Sequence, residues 1–262
     1  MVFNSLSFAV FLGVVYGGFL LIPVRFKCHF LIAASYAFYS FTSYKACAVL
    51  AAISLLCYWG GHWLHAAEGR PRKQLFRLFS IITVLAGVLV YFKSVPFILE
   101  HLRAFAAGVK SGQLNLALLF IPVGISYYIF QGIGYLIDVY WGKPKEKNLV
   151  AFLLFMCFFP KLMMGPIERG ERLLPQIKRL GHFRFDYDRF RQGLLLFCWG
   201  LFKKLVVAER LALYVNEVYD RPTEHPGVPV AAAFVFFAFQ LFADFSGYTD
   251  MASAWANCSA WS

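Results

Sequence analysis

Lys161 is an amine set in an otherwise apolar run, FFPKLMMG, and other polar groups sit in comparable places along the chain. In IPVGISYYIFQGIGYLIDVYWG (121–142), Tyr127, Gln131, Tyr135 and Asp138 recur at i, i+4, i+8 and i+11, one face of a helix. In the last apolar run Gln240, Asp244 and Tyr248 repeat at i, i+4 and i+8, while Asp250 stands on another face. Lys203 and Lys204 interrupt the middle of a third run. Amides and phenols at such spacing hydrogen-bond between helices. Carboxylates and amines bind and orient charged ligands, and each costs about 2.5–3.5 kcal/mol at the centre of a bilayer-spanning helix. The stripes therefore have two readings, interhelical joints or the lining of a wet cavity. Tyr and Gln fall to the first reading and Asp244 to the second.

The segment FFPKLMMGPIERGERLLPQIKRL (158–180) is the most specific of the chain. Pro160, Gly165, Pro166, Gly170 and Pro175 forbid one continuous helix. Irregular backbone beside charge at a bilayer edge is how membrane proteins build polar ligand sites. Arg172, Lys178 and Arg179 read as a solvated basic loop. Lys161 and Arg169, with help from Lys203 and Lys204, read as cations for an anionic ligand, because phosphates favour ammonium groups and guanidinium forks.

Elements that could position these groups follow from composition. Of 262 residues, 60% are hydrophobic and 15% charged, against about 45–50% and about 25% in a soluble domain. Mean hydropathy is +0.62. The apolar residues come in blocks of about twenty, the length that crosses a bilayer as a helix. The class is thus an all-α polytopic membrane protein, with spans predicted near 4–22, 28–43, 46–64, 78–95, 116–140, 193–214 and 230–252, about seven in all. The net charge of +11 belongs to loops facing an anionic leaflet, and no basic segment carries a nucleic-acid-reading pattern. The first cations, Arg25 and Lys27, follow the first apolar run, which predicts an uncleaved first span with its N-terminus outside. Cation-rich loops 65–77 and 165–192 should be cytoplasmic. Both flanks of 149–165 then fall on one side, so that stretch is predicted to be re-entrant rather than spanning. Lys203 and Lys204 are expected to snorkel towards the interface.

Several chemistries are absent from the pattern. The six cysteines show neither CxxC nor paired spacing, so no disulfide framework or zinc site is expected. There is no GxSxG elbow, Walker loop or HExxH. His62 and His65 are close enough to share a ligand but lack a third partner, and no histidine stands in a buried polar setting that would make it a general base.

The ordered series IPVGISYYIFQGIGYLIDVYWG, FFPKLMMGPIERGERLLPQI, GLFKKLVVAERLA and FADFSGYTDMA resembles the membrane-bound O-acyltransferase family, with MVFNSLSFAVFL and IAASYAFYSF fitting the same branch. The branch that looks closest serves bacterial alginate O-acetylation, a relative of the D-alanyl transfer proteins of teichoic acid. The likeness runs through residues 1–252 and implies one membrane domain in the inner membrane, a helical bundle around a funnel or tunnel. It implies an acyl donor, acetyl-CoA or another cytoplasmic thioester, with no resident cofactor and no metal. Membrane lipid, an extracytoplasmic polysaccharide and periplasmic acetyltransferase proteins would be the partners, with no nucleic acid. It also implies a catalytic histidine well beyond Ser262, hence no catalytic residue within 1–262. Candidate donor- or substrate-binding residues are Lys161, Arg169, Gln131, Asp138, Gln240, Asp244, Tyr248, Lys203 and Lys204.

Residues 253–262, SAWANCSAWS, depart from the family's continuation. With one base restored in a back-translation they read IGLGKLLGME, which matches it. The expectation is an out-of-frame tail on an incomplete bundle, an inactive product, and an Asp244 whose partner lies on helices not encoded here. A non-catalytic component of a polysaccharide export or modification complex is the alternative function.

Overall fold

A computed structural model of the chain describes residues 6–105, 121–162, 169–180, 185–225 and 227–258. In order these form α1 (Leu6–Leu21), α2 (Lys27–Ser40), α3 (Tyr44–His65), α4 (Pro71–Phe105), α5 (Ile125–Tyr140), α6 (Leu149–Cys157), α7 (Phe159–Leu162), α8 (Gly170–Arg179), α9 (Tyr187–Phe202), a π-helical turn (Lys203–Ala208), α10 (Glu209–Asp220) and α11 (Val228–Cys258). No strand occurs among the described residues. Among the described residues, three stretches are long and apolar enough to cross a membrane: Tyr44–His65, Pro71–Ser94 and Val228–Trp255. The other predicted spans also overlap helices, although 4–5 and 116–120 lie outside the described residues.

Two units make up the chain: Cys28–Met163 with Ile167–Ile177, and Met1–Lys27 with Met164–Pro166 and Lys178–Ser262. In the first unit α3 packs on α4, α5 and α6. Leu50, Ile53, Cys57 and Leu64 of α3, Ile129 and Leu136 of α5, and Phe152 and Phe155 of α6 are all buried. A Cβ on Gly132 would lie 2.5 Å from Cys57 Sγ, so α3 and α5 cross with no room for a methyl group. Side-chain caps start the helices: Ser43 accepts from the Lys45 N–H, and Asn148 from those of Val150 and Ala151.

The segment expected to be re-entrant is broken in the middle. Helix α6 has nine residues, about 13 Å of rise against a hydrocarbon core of about 30 Å. At Phe158 the backbone turns extended, and Pro160 brings no N–H to continue the helix. Protein covers the break. The Phe159 N–H donates to Ser35 Oγ at 3.2 Å, and that hydroxyl donates to the Leu31 carbonyl at 2.7 Å. Phe152, Phe155 and Phe159 are fully buried around it. Residues 163–168, which include Gly165, Pro166 and Glu168 of the motif, lie outside the described residues.

In the second unit α11 packs along α9, the π turn and α10. Asp186 caps α9 through the N–H groups of Asp188 and Arg189. Where a patternless tail was expected, α11 runs on to Cys258. SAWANC contains neither Gly nor Pro, so nothing in it stops a helix. Ala254 and Trp255 are buried, and the Trp255 ring stands edge-on to Tyr16, their centroids 5.7 Å apart.

Candidate functional site

Among the described residues, charged and polar side chains gather in the second unit between the π turn and α11, and in the first unit around α5, α7 and α8. In the second unit the backbones of α9 and α11 approach closely at two glycines. A Cβ on Gly200 would fall 2.6 Å from the Gly247 carbonyl oxygen, and one on Gly247 would fall 2.7 Å from that of Gly200. One turn after Gly200, at Lys203, the helix widens into the π turn, a feature that often marks functional segments. Short reach and altered register bring both lysines of this turn to α11. Lys203 Nζ donates to Asp250 Oδ2 at 2.7 Å and to Ser246 Oγ at 2.9 Å. Lys204 Nζ donates to Asp244 Oδ1.

This arrangement corrects two expectations. The lysines do not snorkel away from the bundle, because two carboxylates one helix away neutralise them. Asp244 has its partner within this chain. The pairs are part-buried, with side chains 13–34% exposed, so their attraction is screened less than that of fully exposed charges. Of the rest of the stripe, Tyr248 is buried and Gln240 half-buried, with no hydrogen-bond partner for Gln240 Oε1 among the described residues.

In the first unit the expected face of α5 is turned inward, with Gln131, Tyr135 and Asp138 buried and Tyr127 half-buried. Gln131 Nε2 donates to the Phe155 carbonyl at 2.6 Å. Lys161 Nζ lies 4.6 Å from the centroid of the Phe155 ring, and its residue is only 6% exposed. Gln131 and Lys161 thus both meet Phe155, the one at its carbonyl and the other at its ring. A cation against an aromatic face in a desolvated setting is attracted by the ring quadrupole. Arg169 is exposed at the start of α8, where its carbonyl accepts from the N–H groups of Arg172 and Leu173.

Asp138 belongs to a separate join. Helix α5 ends with the Lys143 N–H bonded to the Asp138 carbonyl and the Gly142 N–H to that of Val139, with Gly142 at φ 84°. That paired pattern is a Schellman motif. The same reversal carries Lys143 Nζ to Asp138 Oδ1 at 2.9 Å, and on to Glu171 Oε1 of α8 at 2.6 Å. Sequence reasoning missed Lys143 and Ser246, saw Glu171 only as one charge of the 158–180 motif, and left Asp250 unassigned. An acid five residues before a lysine, with Gly between them at the end of a helix, is the signal for the Lys143 join. Glu171, then Asp138, holds the Lys143 ammonium above its ordinary value. A raised value means that the contribution of the lysine's charge to stability is fully present below the ordinary lysine range and is lost as pH rises through the raised value. Tyr135 and Tyr58 secure the following loop: Tyr135 Oη accepts from the Glu146 N–H, and Tyr58 donates to the Lys147 carbonyl.

These clusters are equipped to hold charge and fix geometry. The histidines near the motifs have other work: His62 Nδ1 is 3.0 Å from the Tyr58 carbonyl, and His65 pairs with Glu68 at 2.9 Å on the surface. Among the described residues, no group of three His, Cys, Asp or Glu side chains could hold a metal ion.

No protein-family model matches the chain. It is 34% identical over 254 residues to the probable alginate O-acetylase of Pseudomonas putida, covering 96% of this chain and 52% of that protein. To the peptidoglycan O-acetyltransferase of Helicobacter pylori it is 28% identical over 247 residues, covering 85% and 46%. To the teichoic acid D-alanyltransferase of Streptococcus thermophilus it is 26% identical over 260 residues, covering 93% and 58%. The chain spans about half the length of the curated relatives it matches.

Removing the Gln131 amide leaves the buried Phe155 carbonyl without its donor. Gln131→Leu should cost about 1–3 kcal/mol, whereas Arg169→Gln on the exposed end of α8 should stay within about 0.5 kcal/mol. Thermal unfolding of the purified protein in detergent reads both. Equal melting temperatures for Gln131→Leu and the unaltered protein would show that this bond holds nothing.

Proposed function

The chain belongs to the membrane-bound O-acyltransferase family, and from that premise we propose that the protein moves an acyl group, acetyl foremost, from a cytoplasmic thioester to a hydroxyl of an extracytoplasmic polysaccharide. The observation that carries this reading is the 34% identity over 96% of the chain to an alginate O-acetylase. Apolar helices with paired charges between them agree with it, since charge inside a membrane marks ligand pathways.

In this reading the donor is acetyl-CoA or a related thioester, and the setting is the bacterial inner membrane. Lys161 and Arg169 meet the donor's anionic groups. Lys203 and Lys204, already neutralised by Asp250 and Asp244, position α11 instead. A histidine base, which the family resemblance puts in sequence following residue 262, takes the proton from the acceptor hydroxyl. The hydroxyl oxygen bonds to the thioester carbonyl carbon, the carbon–sulfur bond breaks, and the thiolate leaves and is protonated. Periplasmic acetyltransferase proteins receive or place the product. The seven-span topology is part of the proposal, with α6 and α7 entering and leaving on the same side.

Expression of the complete coding region in an alginate-producing strain lacking its own O-acetylase tests the activity. Acetyl content of the secreted polymer should return. Unacetylated polymer at normal membrane abundance of the protein would contradict the reading, and with export intact would favour a non-catalytic component. For the topology, a cysteine at exposed position 185, in a background with the native cysteines replaced, should react with an impermeant maleimide only in inverted vesicles. Labelling in intact cells would place the 165–192 loop outside and refute the parity on which the re-entrant segment rests.

A further inference from the structure

In the first unit, α3 and α4 leave an open cleft of about 340 Å³ between them. Its walls descend from the turn that joins the two helices. Trp63 lies nearest the turn, Trp59 and Ile81 follow, and Leu56 and Val84 lie farthest from it along the helices. Trp63 and Leu56 are seven residues apart, so the cleft runs about 10 Å along the helix axes. Gly60 forms part of the lining and contributes no side chain. Ser80 adds little polarity, since its hydroxyl donates to the Phe76 carbonyl of its own helix.

The mouth of this apolar cleft is cationic. Arg77 is fixed there by two contacts to Trp63: Nη1 donates to the Trp63 carbonyl at 2.6 Å, and the guanidinium carbon lies 5.0 Å from the ring centroid. A guanidinium has five N–H donors, so most of this one is left for a ligand. Arg72 and Lys73 stand exposed on the first turn of α4. Glu68, the one acid of the turn, is engaged by His65. Trp59 and Trp63 are 65% and 45% exposed, large amphipathic rings of the kind that settle at headgroup depth.

We propose that this cleft docks an anionic glycerophospholipid, one acyl chain lying against Trp59, Ile81 and Val84 and the phosphate held by Arg77 with Arg72 and Lys73. Charge complementarity selects this occupant over a further apolar helix, which would leave the cations at the mouth unmatched. A guanidinium already braced against an aromatic ring presents its remaining donors at little ordering cost, and its fork matches phosphate oxygens. The site stands apart from the acyl-transfer reading, and its occupancy does not depend on activity.

Native mass spectrometry of the purified full-length protein tests it, with phosphatidylglycerol and phosphatidylethanolamine of identical acyl chains as probes. Phosphatidylglycerol adducts should predominate. Arg77→Gln should weaken them about five-fold, the worth of one cation near a membrane surface, and weaken phosphatidylethanolamine adducts less, because the ammonium of that headgroup offsets its phosphate. Because Arg77 also braces Trp63, Arg72→Gln with Lys73→Gln on the exposed turn provides a second charge test with the same expected direction. Val84→Trp, filling the cleft from its exposed wall, should reduce adducts of both lipids. Equal adducts of the two lipids, or phosphatidylglycerol adducts indifferent to both charge variants and to Val84→Trp, would overturn the proposal. The latter result is what a cleft covered by another part of the protein would give.

Discussion

A charge placed among apolar helices must meet its opposite or stay in water, and this constraint organises the second unit. Lys203 and Lys204 are side by side in sequence, and Asp244 and Asp250 are six residues apart, yet the four form two pairs. Complementarity of that kind needs the two backbones close and in one register. Gly200 and Gly247 supply the closeness, since a methyl group on either would collide with the other's carbonyl. The π turn starts at Lys203, one turn along from that contact. Geometry and charge therefore reinforce one another: the glycines allow the approach, and the ion pairs fix its register. A buried pair contributes little net stability but a great deal of penalty when one partner is lost, so such a joint acts mainly as a lock.

The first unit obeys the corresponding rule for backbone. A chain that breaks its helix among apolar side chains must find partners for the freed N–H groups. Ser35 provides one at Phe159, and the proline at 160 removes another from the account. Around this break the protein gathers Gln131, the Phe155 ring and the Lys161 amine. The Lys143 bridge then ties the end of α5 to α8, the helix that carries the rest of the motif.

Much of this was legible in the sequence, for identifiable reasons. Apolar runs of bilayer length predicted the helices, and the i, i+4, i+7 spacing correctly put Gln131, Tyr135 and Asp138 on one buried face of α5. Pro160 and the basic flanks predicted a break between 149 and 165, and α6 stops at Cys157. What sequence alone concealed was pairing. Nothing local says that Lys204 meets Asp244, forty residues away, because that depends on where Gly200 lies against Gly247. Snorkelling was the default for two lysines in an apolar run, and it gave way once carboxylates lay within reach. The Ser35 contact, 124 residues from Phe159, was hidden for the same reason. The helix through 253–258 was hidden differently: departure from a family pattern says nothing about helix propensity, and SAWANC has no breaker.

The central claim is that paired charges lock α11 to the π turn, and exchange of one pair tests it most directly. Thermal unfolding of the full-length protein should show Lys204→Asp and Asp244→Lys each strongly destabilised, since each leaves two like charges together. The double exchange should recover much of the loss, with a coupling energy of about 1–3 kcal/mol, between the values for exposed and buried pairs. Additive losses in the double variant, or single variants that melt like the unaltered protein, would contradict the account.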